Sequence, residues 1–126
     1  MRRSIWIALL FLGVYTAQAN SGYYSRLDKD TLVIGNQWIE RKFLWNKGNL
    51  ITYSLTDKQA KQTWFNRLKT PDFQITNDAV ASNGTYGAKE IKETSIHPNY
   101  LAVTISFTTG TLSAKKVYRI YENSPT

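Results

Sequence analysis

The chain has no cysteine and a single histidine, His97. The first absence excludes disulfides, a thiolate nucleophile, a lipid-modified N-terminal cysteine and the sulfur ligands of structural zinc or iron sites. With one imidazole left, the sequence implies no metal and no cofactor. His97 precedes Pro98 in a loop-like stretch and is read as an exposed loop residue rather than a general base. There is no glycine-rich phosphate loop and no Gly-x-Ser-x-Gly element. Acidic residues number only nine. Glycosidic hydrolysis takes two carboxylates about 5 or about 6.5–9.5 Å apart, and no pair here has a spacing that delivers this. Glu90 and Glu93, three apart on an expected strand, point to opposite faces. No catalytic residue is assigned.

Long apolar runs are also missing, except at the N-terminus. Arg2 and Arg3 precede "IWIALLFLGV" (Ile5 to Val14), and "AQA" at Ala17 to Ala19 follows. A basic n-region, a short apolar core and a small-x-small site make a signal peptide over 1–19. An uncleaved anchor is the alternative, but a spanning helix takes about 20 apolar residues. The expected mature domain is 20–126, with no membrane association after cleavage. Export of a cysteine-free chain leans bacterial, and the expected location is periplasmic or secreted.

The formal charge is +7, of which two units belong to the signal. The lysines are scattered and only Lys115 and Lys116 adjoin, with no nucleic-acid motif. The charge reads as a solvated surface, without a nucleic-acid partner.

Apolar residues recur with a period of two, the spacing of strands. In "YLAVTISFTTG", Leu101, Val103, Ile105 and Phe107 share one face, and Thr109-Gly110-Thr111 turns the chain into a second strand, Leu112 to Tyr121. That second strand has two apolar phases, which a bulge near Lys115 and Lys116 reconciles. "NQWIERKFLWNKGNLITYSL" reads as a hairpin of Trp38–Trp45 and Leu50–Thr56. A three-residue loop, Lys47-Gly48-Asn49 with Asn49 left-handed, pairs Trp45 with Ile51, Phe43 with Tyr53 and Arg41 with Leu55. Ile39, Phe43, Trp45, Ile51, Tyr53 and Leu55 then form one core wall. Shorter strands are expected at Thr31–Ile34, Thr63–Phe65, Phe73–Thr76 and Ala88–Thr94. Turns are expected at Asp57–Gln59, Thr70–Asp72 and Ala81–Gly84. The fold class is all-β, an antiparallel β-sandwich.

Aromatic residues are plentiful, and exposed Trp or Tyr stacks on pyranose rings. Trp45 fits the core phase, Trp38 the opposite phase, and Trp64 follows the polar stretch "DKQAKQTW". Trp38 and Trp64 are the candidate carbohydrate-binding residues, with core or inter-domain packing as the competing role. Asn83-Gly84-Thr85 is a formal glycosylation sequon, relevant only to a eukaryotic secretory route.

Ile34, Asn36, Ile39, Glu40, Arg41 and Phe43 match the pattern I-x-N-x-x-I-E-R-x-F, and Leu50, Thr52, Ser54 and Leu55 match L-x-T-x-S-L. With the ending "VYRIYENSPT", these resemble the N-terminal β-sandwich of exported bacterial alpha-galactosidases, the melibiase-like glycoside hydrolase family 36. Lys116 and Tyr118 depart from the usual arginine and phenylalanine of the last strand. Similar sandwiches open family 97 enzymes. The resemblance implies a supersandwich-like domain, incomplete at its C-terminal end, that braces a (β/α)8 barrel carrying the catalytic aspartates. No position here matches those aspartates. It further implies alpha-galactoside substrates for the parent enzyme and possible homo-oligomer contacts. A stand-alone carbohydrate-binding module and a structural or adhesion sandwich are the alternatives.

Overall fold

The computed structural model describes residues 22–74, 80–92, 95–96 and 98–124. The expected signal peptide, His97, Glu93 and the second half of the expected Phe73–Thr76 strand lie outside them. Eight strands form two antiparallel sheets: β1 (Tyr23–Asp28), β2 (Thr31–Asn36), β3 (Ile39–Leu44), β4 (Ile51–Asp57), β5 (Gln62–Phe65), then β6 (Ala81–Ile91), β7 (Tyr100–Thr109) and β8 (Leu112–Tyr121). Each sheet is a simple meander, β1-β2-β3-β4-β5 and β6-β7-β8. The all-β class expected from periodicity holds. The β1 strand, rich in polar residues, was not anticipated, and Phe73 and Gln74 lie outside any strand.

Strand β7 shows why alternation works. Val103, Ile105 and Phe107 are buried, Leu101 is half-buried, and their neighbours Ala102, Thr104 and Ser106 turn to the other face. Each inward residue removes apolar area from water, worth about 1.5–3 kcal/mol for a large side chain. Gly110, at φ 59°, lets β7 turn into β8 within two residues. The β7–β8 ladder then runs unbroken from Thr109–Leu112 to Tyr100–Tyr121. The bulge expected near Lys115 and Lys116 is therefore absent. Tyr118 and Ile120 take the inner phase, while Val117 is left exposed.

One apolar cluster draws on both sheets: Tyr23, Leu32, Ile34, Phe43 and Leu50 meet Val103, Ile105 and Ile120. Half-buried Trp45 and Tyr118 pack around it, and the Phe43 and Tyr118 rings lie 5.4 Å apart. Contacts between the sheets run mainly through β1, β2 and the turn at Asn46–Gly48. The β4–β5 end of the larger sheet extends past this cover.

The β3–β4 hairpin corrects the expected register. Arg41 does pair with Leu55 and Lys42 with Ser54, but Phe43 then pairs with Thr52 and Leu44 with Ile51. The shift makes Tyr53 an unpaired extra residue, a β-bulge that lets the near and far halves of the hairpin keep different registers. Tyr53 consequently stands exposed, and Leu55, which keeps its expected partner and face, is exposed because it lies beyond the cover of the smaller sheet, so neither completes a core wall. Trp45 lies in the loop, not in the strand, and its N–H donates to the Asp30 carbonyl at 2.8 Å. The loop is longer than three residues. Asn46, Lys47 and Gly48 carry the positive φ values (42°, 55° and 98°), while Asn49 has φ −84°.

That loop explains the glycine in "NKGN". A methyl group on Gly48 would lie 2.8 Å from Gly84 Cα and 2.9 Å from Phe107 Cβ. Gly84 in turn packs against the Lys47 carbonyl. The stretch 81–84, expected to be a turn, is instead the start of β6. A register shift between Ser82 and Thr85, with Asn83 at φ 54°, bends the strand onto the loop. Two backbones meet here with no side chain between them.

Candidate functional site

The residues quoted for the family resemblance have definite structural tasks. Asn36 is buried, and its side chain makes four hydrogen bonds. Its Nδ2 donates to the carbonyls of Tyr121 (2.8 Å) and Ser124 (2.6 Å). Its Oδ1 accepts from the N–H groups of Trp38 (2.8 Å) and Ile39 (3.0 Å). One amide thus closes the β2–β3 turn and ties it to the end of β8. Glu40 accepts a 2.5 Å hydrogen bond from the Tyr24 hydroxyl. Burial, and then that bond, raise the Tyr24 hydroxyl well above its ordinary pKa. Tyr23 donates to Glu90 across the sheets, and burial followed by that bond push its hydroxyl up to about 12.

Arg41 is the exception. Its partners in register are Ile34 on one side and Leu55 on the other, and Leu55 pairs in turn with Trp64. Directly opposed residues of antiparallel strands share a face, so Ile34, Arg41, Leu55 and Trp64 form one row on the inner face. Ile34 is in the core, Arg41 is half-buried, and Leu55 and Trp64 are 37% and 48% exposed. The row therefore runs out from under the smaller sheet into solvent. The Arg41 guanidinium sits 4.8 Å from the Phe43 ring centre and donates to Thr52 Oγ1 at 3.4 Å. Thr52 Oγ1 donates to Asp72 Oδ2 at 2.7 Å, and Asp72 Oδ1 accepts from Thr52 N at 3.0 Å. Burial raises the Tyr118 hydroxyl pKa, with Arg41 opposing and Asp72 reinforcing that rise. Arg41, Thr52, Asp72 and Tyr118 are thus close together beside an exposed aromatic shelf.

A cavity of about 90 Å³ opens next to this row, lined by Ile34, Asn36, Ile39, Arg41, Tyr118 and Ile120. Enclosing sites for small ligands run to about 300–1,000 Å³, so this cavity is too small to enclose a sugar. Among the described residues no group of three or more His, Asp or Glu is placed to hold a metal. Asp57 accepts from the N–H groups of Gln59 and Ala60 and so caps the β4–β5 turn.

The two candidate tryptophans are placed differently. Trp64 stands on the shelf. Trp38 lies in the β2–β3 turn, half-buried, with its carbonyl accepting from Lys58 N at 2.9 Å. Its indole N–H is buried and meets no acceptor among the described residues. Strand β4 lies between the two, and the structure does not join them in one platform. Sequence reasoning missed Arg41, Asp72 and Tyr118 as a group because they come from three distant segments. The one available signal was a cation on the core phase of "IERKF". No family model, curated protein or solved structure matches the chain.

Proposed function

We propose that this chain is the non-catalytic β-sandwich of an exported glycoside hydrolase of the alpha-galactosidase type. Its work is to brace a catalytic barrel carried elsewhere and to present one aromatic shelf to it or to its substrate. The observation that carries this reading is the half-covered inner face, where the row Ile34–Arg41–Leu55–Trp64 leaves the core and ends in solvent. A face of this kind, with a partly buried guanidinium and a large aromatic, suits packing against another folded body. The I-x-N-x-x-I-E-R-x-F residues support it too, since they build the clamp and the start of that row. Export to the periplasm or beyond belongs to the same proposal.

The test is to read the coding frame past Thr126 and to assay its full product for hydrolysis of p-nitrophenyl alpha-galactoside. Hydrolysis by the full product, with none by residues 20–126 alone, is the expected result. A stop codon directly after Thr126, with a stable monomeric product, overturns the reading. Trp64 then favours a second one, a carbohydrate-binding module, in which galactosides quench tryptophan fluorescence and Trp64→Ala abolishes the response.

A further inference from the structure

Strand β5 is the outermost strand of the larger sheet, and all four of its residues are exposed. Asn66 N donates to the Tyr53 carbonyl at 2.9 Å. Antiparallel ladders alternate bonded and non-bonded pairs, so Trp64 bonds inward to Leu55. The main-chain N–H and C=O groups of Thr63 and Phe65 then point away from β4, into solvent. This edge is flanked by charge of one sign. Between residues 58 and 71 stand Lys58, Lys61, Arg67 and Lys69, with no Asp or Glu. Lys58 is engaged, donating to the Asn36 carbonyl at 2.7 Å and lying 4.7 Å from the Tyr24 ring centre. Lys61, Arg67 and Lys69 are exposed, and the ion pair among the described residues, Lys42–Glu40, involves none of them.

Open edges are normally blunted by charge, because a bare row of N–H and C=O groups templates further pairing. Here the charge selects the partner as well. A second copy brought edge to edge in antiparallel fashion would set Lys61 against Arg67 and Lys69 of its mate, and like charges across such a contact oppose it. An extended strand with acidic ends meets attraction at both places. Its central side chains would fall alternately beside Trp64 on the inner face and beside Phe65 on the outer face. Phe65 is already propped by Tyr53, 5.8 Å away edge-on.

We infer that the β5 edge is a docking site for an extended, acidic-ended strand of a separate polypeptide, added as a sixth strand beside Thr63 and Phe65. Backbone hydrogen bonds supply attachment, Trp64 and Phe65 supply apolar contact, and Lys61, Arg67 and Lys69 choose the sign of the partner's charge. The inference does not depend on the glycosidase reading.

The probe is an eight-residue peptide with two acidic residues at each end and an alternating valine–threonine centre, added to the full chain. Amide hydrogen exchange at Thr63 and Phe65 should slow by about tenfold or more on saturation, as newly bonded edge amides do. A peptide with lysines in place of the acids should give no protection. Nor should the acidic peptide once its bonding amides are N-methylated, a control that leaves the protein untouched. The Lys61→Glu/Lys69→Glu variant should bind the acidic peptide at least about tenfold more weakly and accept the lysine peptide instead. Three results overturn the inference: equal binding of the N-methylated peptide, protection of Thr63 and Phe65 by self-association without peptide, or binding of dextran sulfate in place of the peptide. The last marks the patch as a polyanion surface rather than a strand site.

Discussion

Truncating Asn36 to alanine should be among the most damaging single changes outside the apolar core. The side chain is 1% exposed and satisfies four partners: two carbonyls near the end of β8 and two N–H groups in the β2–β3 turn. Removing one member of a buried hydrogen bond strands the other at about 1–3 kcal/mol each. Trp38, Ile39 and Ser124 are only half-buried, so water relieves part of that loss and the low end applies. Four partners at about 1 kcal/mol give about 4 kcal/mol, a large share of the roughly 5–15 kcal/mol that holds a domain together. Urea denaturation followed by tryptophan fluorescence measures it. Asn36→Asp sharpens the test, because it keeps the acceptor and loses the donors, turning a carboxylate toward two carbonyl oxygens. The folded state then favours the protonated acid, so its pKa lies above the unfolded value of about 3.9. The variant is accordingly most stable below pH 4 and loses stability as the pH rises above that value. An alanine variant within 1 kcal/mol of wild type, or an Asp variant insensitive to pH between 3 and 7, refutes the clamp.

Gly48→Ala should cost about 2–4 kcal/mol, since a methyl group meets Gly84 and Phe107 at a positive φ; wild-type denaturation midpoints would show that the loop does not seat on β6. Tyr23 titrates near 10 when unfolded and at about 12 when folded, so its contribution is complete below pH 10 and is lost between 10 and 12. Thermal melts across that range should fall for the wild type and fall less steeply for Tyr23→Phe, in which the raised Tyr24 and Tyr118 hydroxyls still contribute. Phe43→Ala, at a fully buried position, should cost about 3–5 kcal/mol, whereas Trp64→Ala on the shelf should stay within about 1 kcal/mol. Equal losses in the two variants would place Trp64 in the core.

Period-two alternation was enough to find β3, β4, β7 and β8, whereas β2, buried along most of its length, and β5, exposed along all of it, are marked by their β-branched and aromatic residues. It failed at β1, where Tyr23-Tyr24-Ser25-Arg26 offers no apolar alternation. Those residues are held by side-chain bonds across space, such as Ser25 to Tyr86 at 2.7 Å, and no local pattern records such partners. It failed at 81–84 for the opposite reason. Ser-Asn-Gly reads as a turn by composition, but here the glycine is needed for approach to another backbone, and the strand runs through it with a bulge.

The hairpin in "NQWIERKFLWNKGNLITYSL" carries the most instructive failure. The spacing admits two registers, one that pairs Phe43 with Tyr53 and one, with a loop a residue shorter, that pairs Phe43 with Thr52, and a continuous ladder can hold only one of them. The chain keeps both, the first up to Lys42 and the second from Phe43 onward, with Tyr53 as the slipped residue. That slip is also what makes the candidate site. It leaves Thr52 on the inner face beside Phe43, within reach of Arg41 and Asp72, while Tyr53 turns out to prop Phe65. A continuous ladder in the first register would put Tyr53 opposite Phe43, where it would compete with Arg41 for the face of that ring. An inward arginine therefore finds its place through a defect in the neighbouring strand. Deleting Tyr53 should leave a continuous ladder with Thr52 still opposite Phe43 and still bonded to Arg41 and Asp72, and it should remove the prop beside Phe65 while leaving the β7–β8 sheet untouched. Amide exchange resolved by residue distinguishes that outcome from general unfolding.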